Sequence, residues 1–135
     1  MAPCLVDSNV LLDVITEDPH WYEWSSTVIE SAADFSRLLI NAVIFGEVSI
    51  RFSTIEELEK ALPSSLIERE EIPYEAAFLA GKCFLEYRRR GGTRASTLPD
   101  FLIGAHAAVA GYQLITRDAA RYRTYFPKLR LITPV

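Results

Sequence analysis

Short apolar runs separated by longer stretches of helical periodicity constrain this chain more than any other feature. Cys4-Leu5-Val6, Leu38-Leu39-Ile40, Gln113-Leu114-Ile115-Thr116 and Leu129 to Ile132 are too short for helices and read as buried strands, with a weaker one over Leu66 to Ile72. Helix signals fill the gaps. Asp7-Ser8-Asn9 suits an N-cap, and Asp18-Pro19 opens a helix on which Trp21, Trp24, Val28 and Ala32 recur at helical spacing. Asn41 caps a helix running through Phe52, and Thr54-Ile55-Glu56-Glu57 is a capping box. Pro73 starts a long helix whose Ala76, Ala80, Cys83, Phe84 and Tyr87 share a face, stopped by Gly91-Gly92. Thr97-Leu98-Pro99 starts another that ends at Gly111, and Asp118 caps a last helix ending before Pro127. Strands alternating with helices imply parallel pairing through right-handed crossovers. The expected fold is a three-layer α/β/α sandwich around a parallel, roughly five-stranded sheet. Residues 1–135 are expected to form a single domain, with no repeat or linker.

The charge is uneven. The net charge of −4 argues, as a sum, against an anionic partner such as nucleic acid. From Arg88 onward, however, nine basic residues face only Asp100 and Asp118, giving +7 and leaving −11 on the first 87 residues. Cys4 and Cys83 are isolated, so neither a zinc site nor a disulfide framework is expected. The start lacks a signal-peptide pattern and no apolar run is long enough for a bilayer, so the expected location is the cytoplasm, with no membrane partner.

Open parallel sheets bind ligands outside the carboxyl ends of their strands. Asp7 follows the first strand directly, Asp118 follows the Leu114-Ile115-Thr116 strand by two residues, Asp100 lies in a first helical turn, and Glu47 sits inside an apolar helix. Two readings stand for each. Asp7 and Asp118 serve as helix caps and Asp100 as an acid at a positive helix end, or the carboxylates converge. Glu47 must face outward or be paired, because burial of a lone carboxylate is costly. Two carboxylates about 5 Å apart repel by roughly 3 kcal/mol at an effective dielectric of about 20. Several together favour a divalent cation, and ligands that are all oxygen suit Mg²⁺ or Mn²⁺.

Leu5-Val6-Asp7-Ser8-Asn9-Val10-Leu11-Leu12-Asp13 resembles the opening of a PIN domain, the fold of the VapC-type toxins of bacterial toxin–antitoxin pairs. The resemblance continues through Asn41-Ala42-Val43-Ile44-Phe45-Gly46-Glu47-Val48, Pro99-Asp100-Phe101-Leu102-Ile103-Gly104-Ala105-His106-Ala107 and Leu114-Ile115-Thr116-Arg117-Asp118. Each motif alone is unspecific; the four in order carry the signal. The resemblance implies a Mg²⁺- or Mn²⁺-dependent ribonuclease that cleaves a phosphodiester in line. Asp7 and Asp100 match the principal metal ligands, Glu47 a ligand acting directly or through water, and Asp118 the residue that completes the acidic pocket. Thr116 matches a supporting hydroxyl, and Asn9 is placed to bond a carboxylate or a phosphate. The same resemblance implies an RNA substrate, a cognate antitoxin and a homodimer. Two alternatives remain: a PIN nuclease of RNA processing without an antitoxin, and a catalytically idle interaction module.

Other residues have competing roles. Arg88, Arg89, Arg90 and Arg94 either stabilise the end of their helix or guide an RNA backbone toward Asp100. His20 and His106 are expected to pack or bond the backbone rather than to catalyse. Trp21, Tyr22, Trp24, Phe45, Phe52, Phe78 and Phe84 exceed the needs of one small core, and some are expected on a partner surface.

Overall fold

The computed structural model describes residues 1–94 and 98–134. Five strands, β1 (Cys4–Val6), β2 (Leu38–Ile40), β3 (Glu68–Arg69), β4 (Gln113–Ile115) and β5 (Leu131–Ile132), form one parallel sheet in the order β3-β2-β1-β4-β5. The three central strands are buried along their whole length, which explains why they are uniformly apolar apart from Gln113. The edge strands β3 and β5 are half-buried and pair over only two residues, so the extended apolar runs seen around each in sequence are mostly loop.

The helices are α1 (Ser8–Ile15), α2 (Tyr22–Phe35), α3 (Ala42–Ser49), α4 (Ile55–Ala61), α5 (Tyr74–Arg89), α6 (Pro99–Ala110) and α7 (Ala120–Tyr125). Asn41 caps α3 by accepting the Ile44 N–H at 3.0 Å, and the Thr54 hydroxyl accepts the Glu57 N–H at 3.2 Å at the start of α4. Gly111 ends α6 with φ at 75°, a left-handed position that disfavours other residues. A Cβ at Gly104 would collide with the Phe126 ring, so glycine lets α6 lie close to the segment after α7. The three-layer sandwich is therefore as expected, with Leu5, Leu39, Leu114, Ile115, Phe101 and Ile103 in its core.

Three boundaries differ from expectation. α2 starts at Tyr22, not at Pro19, because the Asp18 carboxylate takes the N–H groups of His20 and Trp21 in a turn before the helix. α3 stops at Ser49, short of Phe52. Asp118 does not cap α7: Ala119 occupies that position and no side chain bonds the helix end. The expected start of α6 at Thr97 lies outside the described residues; Leu98 is at its N-cap position and Pro99 in its first turn.

The strand order reverses between β1 and β4. Chain crossing to opposite sides of β1 opens a crevice at the carboxyl ends of these two strands, the place where doubly wound sheets bind ligands. Asp7 lies at the end of β1, and Thr116 at the end of β4.

Candidate active site

Asp7 sits at the mouth of this crevice and is almost fully buried. Its Oδ1 accepts the Ser8 N–H at 2.8 Å, which is its role as cap of α1. Its Oδ2 accepts from the Thr116 hydroxyl at 2.8 Å and from the Tyr122 hydroxyl at 3.0 Å. Asp7 thus caps α1 through one oxygen and accepts from two hydroxyls through the other. Burial raises its pKa to about 6, offset by the Thr116 and Tyr122 hydrogen bonds and reinforced by the Asp100 charge.

The Tyr122 hydroxyl also lies 3.4 Å from Asp100 Oδ1, so one phenol stands between two carboxyls. Burial and the neighbouring carboxylates hold the Tyr122 phenol in its neutral, hydrogen-donating form. Asp100, on the first turn of α6, has its pKa raised by burial, with Arg121 opposing and Asp118 reinforcing the shift. Glu47, on α3, is raised by burial and by the Asp100 charge, while the Ser8 hydroxyl donates to it at 2.9 Å and lowers it. Asp118 is exposed and makes no cap, which leaves its carboxylate available at the rim. Of the four acidic residues singled out in the sequence, Asp100 raises the pKa of Asp7 and of Glu47 and Asp118 raises that of Asp100, so the four lie within electrostatic reach around the crevice.

Of the two supporting residues, Thr116 donates to Asp7. Among the described residues Asn9 bonds no carboxylate. Its Nδ2 donates to Thr116 Oγ1 at 3.4 Å and its Oδ1 accepts from the Arg117 N–H at 3.4 Å, so it ties α1 to the loop after β4. That loop is secured further by Arg117, whose guanidinium bonds both oxygens of buried Asp13 at 2.8 and 3.0 Å and lies 5.2 Å from the Trp21 ring. Ser25 donates to the same Asp13 carboxylate at 2.7 Å.

His106 corrects the expectation of simple packing or a backbone bond. It is fully buried, with Asn41 Nδ2 at 3.0 Å from Nδ1 and Glu70 Oε1 at 2.9 Å from Nε2. Asn41 Oδ1 is already taken by the Ile44 N–H, so the amide NH₂ faces the ring. Nδ1 must accept, and the ring proton resides on Nε2 and is donated to Glu70. Tyr112 donates to Glu70 Oε2 at 2.7 Å. Burial works against the Glu70 charge, but bonds from His106 and Tyr112 hold its pKa below the ordinary value. This network links the start of α3, which carries Glu47, to the middle of α6, which carries Asp100.

A cleft of about 410 Å³ opens beside the carboxylates, lined by Tyr87, Asp100, Asp118, Arg121, Thr124 and Tyr125. Whether a divalent cation suits the acidic residues is decided by their chemistry. All are oxygen donors, three have raised pKa values, and charge repulsion among them is relieved either by protons or by a cation. Among the described residues no three such side chains already stand at coordinating separations, so they would have to close around an ion. Tyr122, Ser8 and Arg121 were missed by sequence reasoning. Tyr122 alone left a trace, as an aromatic residue on the short helix that follows Asp118.

The sequence model of the PIN domain matches residues 4–127. No curated protein matches in sequence. Among solved structures, the chain is similar to one chain of VapBC2 from Rickettsia felis bound to a DNA fragment from their promoter, with a TM-score of 0.74 and 18% identity over 97% of this chain and 98% of that one. It is also similar to a chain of VapBC-1 from nontypeable Haemophilus influenzae, with a TM-score of 0.73 and 16% identity over 97% of each. A toxin–antitoxin complex from Klebsiella pneumoniae matches at a TM-score of 0.69 and 21% identity over 98% of each chain. At such identities the likeness to these structures is one of fold. With the family pattern spanning nearly the whole chain, this protein belongs to the PIN domain family.

Proposed function

We propose that the protein is a divalent-metal-dependent endoribonuclease and the toxin member of a toxin–antitoxin pair. The observation that carries the nuclease reading is the crevice at the β1/β4 reversal, where Asp7 and Asp100 share the Tyr122 hydroxyl and Glu47 and Asp118 complete the acidic surround. Asp7 and Asp100 would be the principal ligands of Mg²⁺ or Mn²⁺, Glu47 a ligand directly or through water, and Asp118 the outermost carboxylate. The ion would supply Lewis-acid stabilisation of the phosphoryl oxygens and acidify water. The chain's own residues prepare for it. Thr116 and Tyr122 fix the orientation of Asp7, Ser8 fixes that of Glu47, and the raised pKa values favour exchange of bound protons for a cation near neutral pH.

The toxin reading rests on the fold shared with chains from VapBC and other toxin–antitoxin complexes. A cognate antitoxin with a cationic segment would meet the −11 first 87 residues favourably. Exposed Phe78 and Tyr22 are apolar surface available to an antitoxin or to a second copy in a homodimer, whereas Trp21, Trp24, Phe45, Phe52 and Phe84 are half-buried. Among the described residues no helix is long and apolar enough to cross a membrane.

The test is cleavage of a cellular RNA pool with Mg²⁺, with Mn²⁺ and with chelator. Cleavage that requires the ion and disappears in a folded Asp7→Asn protein is the expected result. Cleavage that survives chelation, or turnover by Asp7→Asn at the wild-type rate, would sink the assignment. Growth arrest on expression, relieved by the product of an adjacent small gene, tests the toxin reading separately.

A further inference from the structure

We propose that Arg121 is the phosphate-binding residue of a nucleotide subsite, the cleft formed with Tyr87, Tyr125, Asp100 and Asp118; the inference rests on the ribonuclease reading above. A polyanion approaching four carboxylates needs a cationic contact beyond the ion, and most arginines near the crevice are committed elsewhere. Arg117 is bound to Asp13 through both of its carboxylate oxygens. Arg90 pairs with Glu86 at 3.1 Å, and Arg88 donates to the Arg94 carbonyl at 2.8 Å.

Arg121 differs. Its Nε stands 3.7 Å from Asp100 Oδ2, too long for a hydrogen bond, and its buried Nη1 has no acceptor among the described residues. A buried N–H without a partner is rare, and here it marks donors not spent within the fold. The guanidinium is held instead by ring faces, 5.6 Å from the centre of Tyr87 and 5.8 Å from that of Phe101. A cation neutralising Asp100 would weaken the charged contact Arg121 makes there, leaving the exposed part of its side chain, not the buried Nη1, to meet a phosphate oxygen on the cleft side. The cleft volume of about 410 Å³ falls within the range of small-ligand sites, and Tyr87 and Tyr125 line its wall. The ligand is thus the nucleotide flanking the scissile phosphate of a single-stranded RNA.

The experiment measures binding of a fluorescein-labelled single-stranded oligoribonucleotide to Asp7→Asn protein, with Arg121→Gln or Arg123→Gln added. Arg123 is exposed and two residues along α7, hence on another face, and its loss removes the same charge. The expected result is a loss of roughly tenfold in affinity for Arg121→Gln with a shallower salt dependence, and a much smaller loss for Arg123→Gln. Equal losses in the two variants would overturn the subsite while leaving the ribonuclease reading intact. Failure of the Asp7→Asn protein itself to bind RNA would overturn both. A second measurement titrates Mn²⁺ alone into Asp7-intact protein. Arg121→Gln is expected to bind it at least as tightly as wild type, since a positive charge leaves the pocket. Weaker Mn²⁺ binding would show that Arg121 merely shapes the carboxylates, and would refute the role in RNA contact.

Discussion

Burial raises the Asp7 carboxyl to about 6, against an ordinary 3.8, although three donors converge on it. The folded protein therefore holds a proton at pH 5 that the unfolded chain releases. The stabilisation linked to that proton is complete below pH 3.8 and is lost as the pH rises through 6. A shift of this size corresponds to about 3 kcal/mol at most. The raised Glu47 and Asp100 act in the same direction, while the lowered Asp18 and Glu68 act oppositely but are exposed and screened. The metal-free protein is expected to gain resistance to urea between pH 7.5 and pH 5, with a visibly smaller gain in Asp7→Asn. Identical pH profiles for the two proteins would mean that Asp7 is not the buried acid described. Mn²⁺ at pH 7.5 is expected to stabilise wild type and not Asp7→Asn. Tyr122→Phe removes a donor from the same carboxylate. It should cost about 1.5–3 kcal/mol at pH 7.5, where Asp7 is ionised, and less at pH 5, as read by urea unfolding at both pH values.

At the scale of elements, the sequence revealed what local chemistry determines. β1, β2 and β4 were legible because both faces are covered and every position but one is apolar. The four acids stood out locally: Asp7 and Asp118 follow strands, Glu47 lies on the helix after β2, and Asp100 sits in the first turn of a helix behind Pro99. Their partners did not. The bonds from Tyr122 to Asp7, Ser8 to Glu47 and His106 to Glu70 span 115, 39 and 36 residues, so they depend on how elements approach rather than on any local pattern. Asn41 combines both kinds of information, since its cap was readable and its second bond was not. Asn41→Ala removes the cap of α3, worth about 1 kcal/mol, and leaves His106 Nδ1 buried without a donor, which costs about 1–3 kcal/mol more. Because α3 carries Glu47, cleavage should fall together with stability. Asn41→Asp keeps an acceptor for Ile44 and should retain more stability than Asn41→Ala in the same urea titration. The opposite ranking would show that the His106 bond outweighs the cap.

Over the whole molecule, the split between a −11 first part and a +7 last part takes a spatial form. Arg90 lies 5.4 Å from the Tyr125 ring, and Tyr125 and Tyr87 both wall the cleft beside Asp100 and Asp118. The end of α5, with exposed Arg88, Arg89 and Arg90, therefore flanks the acidic crevice rather than facing away from it. The two roles foreseen for this triplet differ in what salt does. Residues that only stabilise the last turn of α5 would, on neutralisation, cost a few tenths to about 1 kcal/mol of folding stability and leave RNA affinity alone. Residues that track an RNA backbone contribute about 0.7 each to the slope of log affinity against log salt on a single strand. Converting Arg88, Arg89 and Arg90 together to Gln is expected to flatten that slope by up to about 2, weakening RNA binding strongly at low salt and hardly at all near 0.5 M. Mn²⁺ binding should be unchanged, because none of the three touches a carboxylate of the crevice. An unchanged slope with a lowered unfolding midpoint would assign the triplet to the helix end alone, and leave the gathering of RNA to Arg121.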